Sequence, residues 1–199
     1  MISIEFIIAA TIVALIPGTG VIYTLSVAIN SNKKNMFLAV VGCTLGIIPH
    51  IIISISILYF LLNINHTFLT IVKFTGVLYL FYLSYMLYKS DALFSSDDIT
   101  NSKTKILLHS IVINLLNPKL IIFLISFIPQ YIHSENEIKN FIYLSLVFML
   151  ITFIVFMIYG LFATYIKEKM FNTIKKRIIV QKVFSLIFFI ICIQILVSN

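Results

Sequence analysis

The sequence predicts an all-α integral membrane protein with six transmembrane helices, arranged as two inverted-topology three-helix repeats in which helices 1 and 4 are broken. Of its 199 residues 61% are hydrophobic and only 11% are charged, and a soluble domain of this size would expose apolar patches large enough to aggregate. Six apolar runs reach or approach the ~20 residues that a helix needs to cross a bilayer core. Basic residues concentrate in alternate loops, as expected for a membrane protein of fixed orientation.

The six predicted spans follow one another through short polar loops. The first run is expected to be retained as a helix, because the first ten residues lack the Lys or Arg that begins a secretory signal peptide. The sixth run is the shortest. If it did not cross the membrane, the C-terminus would lie on the opposite side and the rest of the topology would be unchanged. The spans are Phe6–Ile29, Met36–Leu62, Phe68–Tyr88, Ile106–Ile132, Phe141–Ile166 and Val183–Val197.

The orientation follows from the basic residues. The second and fourth loops hold only Lys73 and Lys139 at their edges. Positive-inside reasoning therefore places the other loops in the cytoplasm and both termini outside. The net charge of +7 is explained by these loop residues, so we expect no nucleic-acid partner. The basic residues of the first, third and fifth loops and their flanks are Lys33, Lys34, Lys89, Lys103, Lys105, Lys167, Lys169, Lys175, Lys176, Arg177 and Lys182.

A polar linker divides the single transmembrane domain, residues 1–199, near its middle. Repeat one covers about 1–89, the cytoplasmic linker about 90–105, and repeat two about 106–199. Each repeat would hold three spans, and an odd number makes the two halves insert with opposite topology. This is the plan of an inverted-repeat transporter.

Two of the spans are interrupted at matching positions. The first contains Pro17-Gly18-Thr19-Gly20 and the fourth contains Asn117-Pro118-Lys119, with the prolines eleven and twelve residues after Phe6 and Ile106. Proline removes a backbone donor and clashes with the preceding turn, and the freed polar groups need partners or a water-filled cavity at bilayer depth. The pattern predicts a substrate site at facing breaks, and the alternative is two ordinary proline kinks used for packing.

Polar side chains surround the second break. Lys119 lies thirteen residues from either end of its span, and a lysine at the bilayer centre costs about 2.5–3.5 kcal/mol on insertion scales. It either faces a wet cavity or a partner, or it reaches the cytoplasmic surface along a tilted helix. Asn117 is interpreted as a substrate-binding residue. For Asn114 we weigh substrate contact and helix–helix hydrogen bonding equally.

The second span carries Gly42-x-x-x-Gly46, followed by Pro49 and His50. Small residues four apart let helix backbones approach closely, so both glycines are expected to pack helices or to support a possible homodimer. His50 is a candidate for proton coupling because imidazole titrates near neutral pH, and packing is the alternative. Glu5 is a weaker candidate for proton coupling, since the outer end of the first span favours interfacial placement.

Enzyme and cofactor signatures are missing from the sequence. It contains no Gly-x-x-x-x-Gly-Lys-Ser/Thr phosphate loop and no Gly-x-Ser-x-Gly motif. Cys43 and Cys192 lie in apolar runs without a metal-ligand neighbour, so no metal site is expected. We therefore expect no cofactor and no enzymatic activity, and transport would draw on an ion gradient or a partner protein.

Several of these motifs together resemble the lysine exporter and homoserine/threonine resistance family of bacterial amino-acid exporters. The similarity spans nearly the whole chain. It is strongest where Asn117-Pro118-Lys119 is followed by Phe123, Phe127 and Pro129-Gln130-Tyr131, and eighteen residues in all carry it. The others are Pro17, Gly18, Gly42, Gly46, His50, Lys73, Gly76, Tyr79, Leu80 and Asn114.

The resemblance implies six helices in a bacterial inner membrane and proton-coupled export of amino acids or related small metabolites. It places the substrate at Pro17-Gly18 and Asn117-Pro118-Lys119, and we add Gly76 to the helix-packing glycines. Thr19-Gly20 and Ser84 depart from the family pattern and leave the substrate's identity undetermined. The expected partners are the lipid bilayer and a small-molecule substrate. The alternatives are a non-transporting scaffold or partner subunit and a passive small-solute channel.

Overall fold

The computed structural model describes residues 2–16, 18–61, 102–132 and 136–170, with single residues and pairs between 78 and 89 and between 175 and 193. All regular structure within these residues is helical, so the predicted all-α class is confirmed. Pro17, Gly76 and Cys192 lie outside the described residues. The helices are α1 Ile4–Leu15, α2 Thr19–Asn30, α3 Lys33–Leu45, α4 Ile48–Leu61, α5 Lys103–Leu115, α6 Pro118–Ser126, a 3-10 helix over Ile128–Tyr131, and α7 Glu137–Met170.

Side-chain caps set several helix starts. Ser3 accepts a hydrogen bond from the Phe6 N–H at 3.2 Å and begins α1, and Asn32 accepts one from the Asn35 N–H at 2.9 Å and begins α3. Asn117 caps α6 and is followed by Pro118 as the first helical residue, a position where the missing N–H removes no helical hydrogen bond. The local sequence thus determines where these helices begin.

Two long helical segments and two bent pairs have the length and composition of membrane spans. Lys33–Ile57 forms a span of 25 residues and Glu137–Ile166 one of 30 residues. The pairs α1–α2 and α5–α6 bend by 56° and 54° at their breaks. At ~1.5 Å per residue each bent pair is also long enough to cross a bilayer, so the described part of the chain provides up to four spans.

Two large apolar clusters, and a smaller one that joins α2, α3 and α5, hold the described helices together. One lies among α1, α4, α6, the 3-10 helix and α7, and its large fully buried side chains include Phe6, Phe123 and Phe148. The other joins α2, α3 and α7 around Met36 and Phe156. Helix α7 contributes to both clusters, while α3 packs most extensively on α5. The breaks of the bent pairs therefore lie between well-packed regions.

The second span differs from its prediction, because a turn at Gly46 and Ile47 divides it into α3 and α4. Pro49 has no N–H to offer the Leu45 carbonyl, so regular helical bonding cannot run through this point. The span also begins at Lys33 rather than Met36. Helices α5 and α7 likewise extend past their predicted ends, because apolar runs mark the lipid-embedded part of a helix and miss its polar ends.

Two helical residues outside the labelled elements, Ser84 and Ser185, contact each other. The Ser84 hydroxyl donates to the Ser185 carbonyl at 2.9 Å, and the Ser185 hydroxyl donates to the Ser84 carbonyl at 2.7 Å. Phe81 and Phe189 also meet, with ring centroids 5.5 Å apart. The contact joins the predicted third and sixth spans.

Candidate functional site

Three helix breaks meet in the structure: the first lies between α1 and α2, the second between α5 and α6, and the third between α3 and α4. Each break leaves a backbone carbonyl without its helical donor, and a side chain from another helix supplies one. We call these breaks, with the side chains that bond to them, the helix-break junction. Because a freed carbonyl in an apolar interior costs free energy unless it is paired, these cross-helix bonds hold the breaks in place.

Lys119, the second residue of α6, bonds to the break between α1 and α2. Its Nζ donates to the Val13 carbonyl at 3.0 Å and to the Ile16 carbonyl at 2.7 Å. The Val13 carbonyl is free because its helical donor would be the nitrogen of Pro17, which carries no hydrogen. Lys119 is only 8% exposed, so its ammonium lies inside the helix bundle and does not reach the surface.

Thr19 makes the opposite connection, from the first break to the second. Its hydroxyl donates to the Ile113 carbonyl at 3.1 Å. That carbonyl lacks its helical partner because the Asn117 N–H bonds to the Asn114 carbonyl instead, at 3.1 Å. Each bent pair therefore supplies a side-chain donor to a carbonyl freed at the other.

Asn114 links the third break to the other two. The Ile47 N–H turns to the Thr44 carbonyl at 3.1 Å, which frees the Cys43 carbonyl. The Asn114 amide then donates to this carbonyl at 2.6 Å, and its own oxygen accepts from the Asn117 amide at 3.2 Å. Asn114 and Asn117 are both buried, and they form one hydrogen-bonded chain across the junction.

Glycines make the close approach of these helices possible. A Cβ atom on Gly18 would lie 2.7 Å from the Asn117 amide nitrogen, and one on Gly20 would overlap the Asn114 amide oxygen. Real Cβ atoms do not approach so closely, so a side chain at either position would displace an asparagine. Gly42 in α3 and Gly46 at the C-terminal end of α3 likewise allow close packing on α5. A Cβ atom on Gly42 would meet the Ser110 side chain, and one on Gly46 would meet the Ile111 carbonyl.

The proton-coupling candidates lie in different places. His50 is buried at the edge of the junction, with its Nδ1 3.0 Å from the Gly46 carbonyl, and it also interacts with the Asn117 backbone. Because a carbonyl only accepts, Nδ1 carries the hydrogen in this contact. Glu5 is exposed in the first turn of α1, and the structure does not bring it to the junction.

Tyr159 is a junction residue that the sequence analysis missed. Its hydroxyl donates to the Leu15 carbonyl at 2.8 Å, so α7 also supports the first break. Leu15 precedes Tyr159 by 144 residues, and no spacing rule connects them. The available signal was the phenol itself, but the same span holds other polar side chains, among them Tyr143 and Tyr165.

The junction holds a buried cation without an acidic residue nearby in sequence. Asp and Glu are absent between positions 6 and 90, between 99 and 134, and between 138 and 167. Within the described residues, the hydrogen-bond acceptors of Lys119 Nζ are backbone carbonyls. The junction therefore combines an ammonium, polarised carbonyls and the N-terminus of α2, whose cap residue Gly18 offers no side chain.

Comparison with known proteins gives a family-model match over most of the chain. The model, described as LysE type translocator, matches residues 11–199. A homoserine/homoserine lactone efflux protein of Salmonella typhi is 25% identical over 153 residues, which cover 75% of this chain and 74% of that protein. A leucine efflux protein of Enterobacter sp. (strain 638) is 28% identical over 176 residues, 82% of each chain.

A third relative has no assigned activity. It is an uncharacterized membrane protein of Vibrio cholerae serotype O1, 24% identical over 136 residues, and these cover 67% of this chain and 66% of that protein. No solved structure matches the chain. The family-model match includes every residue of the helix-break junction.

Proposed function

The chain belongs to the LysE type translocator family, and on that premise we propose that it is a secondary active exporter of amino acids or closely related small metabolites. Family membership makes it a multi-pass bacterial membrane protein and a transporter, not an enzyme. The proposal extends to proton coupling, to placement in the inner membrane with both termini outside, and to two inverted three-helix repeats. The substrate site proposed is the helix-break junction.

The relatives' names support an amino compound as the substrate. The names mention homoserine, homoserine lactone and leucine. All three compounds have a primary amino group on the carbon next to a carbonyl carbon. The lactone lacks the free carboxylate of the other two. The group common to all three is therefore the amine, which carries a proton as an ammonium ion.

One observation carries the proposal: two carbonyls freed at the first break already hold an ammonium group, that of Lys119. Carbonyl oxygens freed at a broken helix coordinate cations, and helix N-termini attract anions. The junction offers both, with the carbonyls of Val13 and Ile16 beside the N-terminus of α2 at Gly18. A zwitterionic amino acid carries the two complementary charges.

The similar bends of 56° and 54° support the inverted-repeat part of the proposal. The reciprocal hydrogen bonds between these two breaks also support the inverted repeat. Thr19 donates from the first break to the second, and Lys119 donates from the second to the first. Motion of one repeat against the other would break these bonds and open the junction to one side of the membrane at a time. His50, at the edge of the junction, is the proposed proton-coupling residue.

Efflux of a pooled set of labelled amino acids from cells overproducing the protein tests the function. We expect one or a few compounds to leave faster than from control cells, and a protonophore to abolish the difference. Flux that survives the protonophore would indicate a passive channel. If the protein is in the membrane and no compound leaves faster, a non-transporting scaffold becomes the better interpretation.

The variant Lys119→Ala tests the proposed site. We expect export to fall to the level of control cells, because the variant lacks the ammonium that bonds to the first break. Lys139→Ala, which removes the same charge from an exposed position in the first turn of α7, should export normally. Immunoblots of membranes must show equal amounts of both variants. Normal export by Lys119→Ala would remove Lys119 from the mechanism.

A further inference from the structure

We propose that the Lys119 side chain is a tethered occupant of the substrate's own ammonium subsite, and that the substrate binds by displacing it from the Val13 and Ile16 carbonyls. The inference rests on the proposed function and names the subsite within the junction. It also narrows the substrate class to compounds with a primary ammonium group.

The subsite is defined by the two acceptors. Both are backbone carbonyls of the first break, and Nζ lies 3.0 Å from one and 2.7 Å from the other. Backbone carbonyls place no requirement on what an ammonium is attached to. The α-ammonium of an amino acid carries the same charge and the same three N–H donors as the lysine side chain, so it can replace Nζ at these oxygens.

Gly18 lies beside the proposed exchange. A Cβ atom on Gly18 would lie 3.4 Å from Lys119 Nζ and 2.7 Å from the Asn117 amide nitrogen, so the missing side chain lets both groups approach the backbone at the start of α2. Gly18 also caps α2 without a side-chain hydrogen bond. A displaced lysine ammonium and an arriving carboxylate would thus meet next to the N–H groups at the start of α2, where a negative charge is stabilised.

The absence of acidic residues in the spans explains why the exchange needs a substrate. Once Lys119 leaves the carbonyls, the chain offers no carboxylate between positions 99 and 134 or between 6 and 90 to receive it. A substrate with an ammonium and a carboxylate, or another strong oxygen acceptor, satisfies both sides at once. An anion alone would leave the carbonyls unpaired, and a cation alone would leave the lysine unpaired.

Purified, detergent-solubilised protein tests the inference through its melting temperature. In Lys119→Ala and Lys119→Met the carbonyls lose their occupant, so n-butylammonium, which copies the end of a lysine side chain, should bind and raise Tm. We expect a rise of roughly 3–5 °C at ten times its Kd. Tetramethylammonium has the same charge but no N–H to donate, and it should leave Tm unchanged.

Wild-type protein and Lys139→Ala are the matched controls. Both retain the tethered ammonium, so n-butylammonium should shift their Tm by less than about one third of the shift in the Lys119 variants. Equal shifts in all four proteins, or none in the Lys119 variants, would overturn the inference. If these variants are recovered poorly, the same comparison is made on the yield of monodisperse protein extracted with each amine.

The outcome is independent of transport. A shift specific to the Lys119 variants supports the ammonium subsite even if the efflux assay finds no exported amino acid. Conversely, protonophore-sensitive efflux with no specific shift would retain the exporter and reject the tethered occupant.

Discussion

At the scale of single residues, the central feature is a lysine whose charge is compensated by backbone. An unpaired Lys119 would cost about 2.5–3.5 kcal/mol at the bilayer centre, while charge-assisted hydrogen bonds contribute about 1.5–3 kcal/mol each. Two such bonds, to Val13 and Ile16, offset the cost. The sequence identified Lys119 as a buried group in need of a partner. It did not identify the acceptors, because carbonyl groups are common to all residues and only the folded chain determines which are freed.

Tyr159 provides the first prediction at this scale. Tyr159→Phe removes the hydroxyl that donates to the Leu15 carbonyl and keeps the ring, so we expect a loss of about 0.6 kcal/mol, typical of a hydrogen bond between membrane helices. The corresponding fall in Tm is about 1–2 °C. Export should decrease as well, since the first break loses one of its supports.

The control is Tyr165→Phe, on the same helix. Tyr165 is 89% exposed, and removal of its hydroxyl should change neither Tm nor export. Indistinguishable melting curves for the two variants would show that the Leu15 contact does not stabilise the break.

At the scale of elements, prolines explain where the helices stop. Pro17 and Pro118 predicted breaks in the first and fourth spans, and the structure bends both pairs there. The turn at 46–47 was not predicted, although Pro49 is visible in the sequence. A proline near a helix start is often harmless, and only the hydrogen bond from the Asn114 amide to the Cys43 carbonyl shows what this turn contributes.

Asn117 is the element-scale prediction because it both caps α6 and bridges to α5. Its side-chain oxygen accepts from the Lys119 N–H at 3.3 Å and its amide donates to Asn114 at 3.2 Å. Asn117→Ala loses both bonds, and loss of a cap alone costs about 1 kcal/mol. We expect Tm to fall by about 2–4 °C and export to be lost, since Lys119 would no longer be held in position.

Asn117→Ser separates the two roles. Serine retains a capping oxygen but cannot reach across to Asn114, so Tm should lie between those of wild type and Asn117→Ala. If Asn117→Ser is as unstable as Asn117→Ala, the amide bridge matters more than the cap.

At the scale of the whole molecule, composition and apolar run length predicted the all-α membrane class correctly. Family membership is likewise confirmed by the match over residues 11–199. The six-span count and the repeat organisation stay predictions, as the third and sixth spans lie largely outside the described residues. Side-chain partners more than a hundred positions apart, such as Lys119 and Val13, were beyond sequence patterns because contact at that distance depends on how the helices pack.

Topology is the prediction that belongs to the whole chain. Both termini should be outside the cytoplasm and the linker at about 90–105 inside. In cells, single cysteines introduced near each terminus, in a chain without Cys43 and Cys192, should react with a membrane-impermeant maleimide. A cysteine at position 97 should react only after the membrane is opened. Labelling of one terminus alone would indicate an odd number of spans.

The hydrogen bonds from Lys119 to the first break can form only late in biosynthesis. The carbonyls of Ile16 and Val13 are synthesised 103 and 106 residues before the lysine that will pair with them. At about 5–20 residues per second, the ribosome needs roughly 5–20 s to reach Lys119. During that interval water or the insertion machinery must solvate the freed carbonyls of the first break. The N-terminal bent helix pair can therefore be fully embedded in lipid only after the segment that contains Lys119 has been synthesised and inserted.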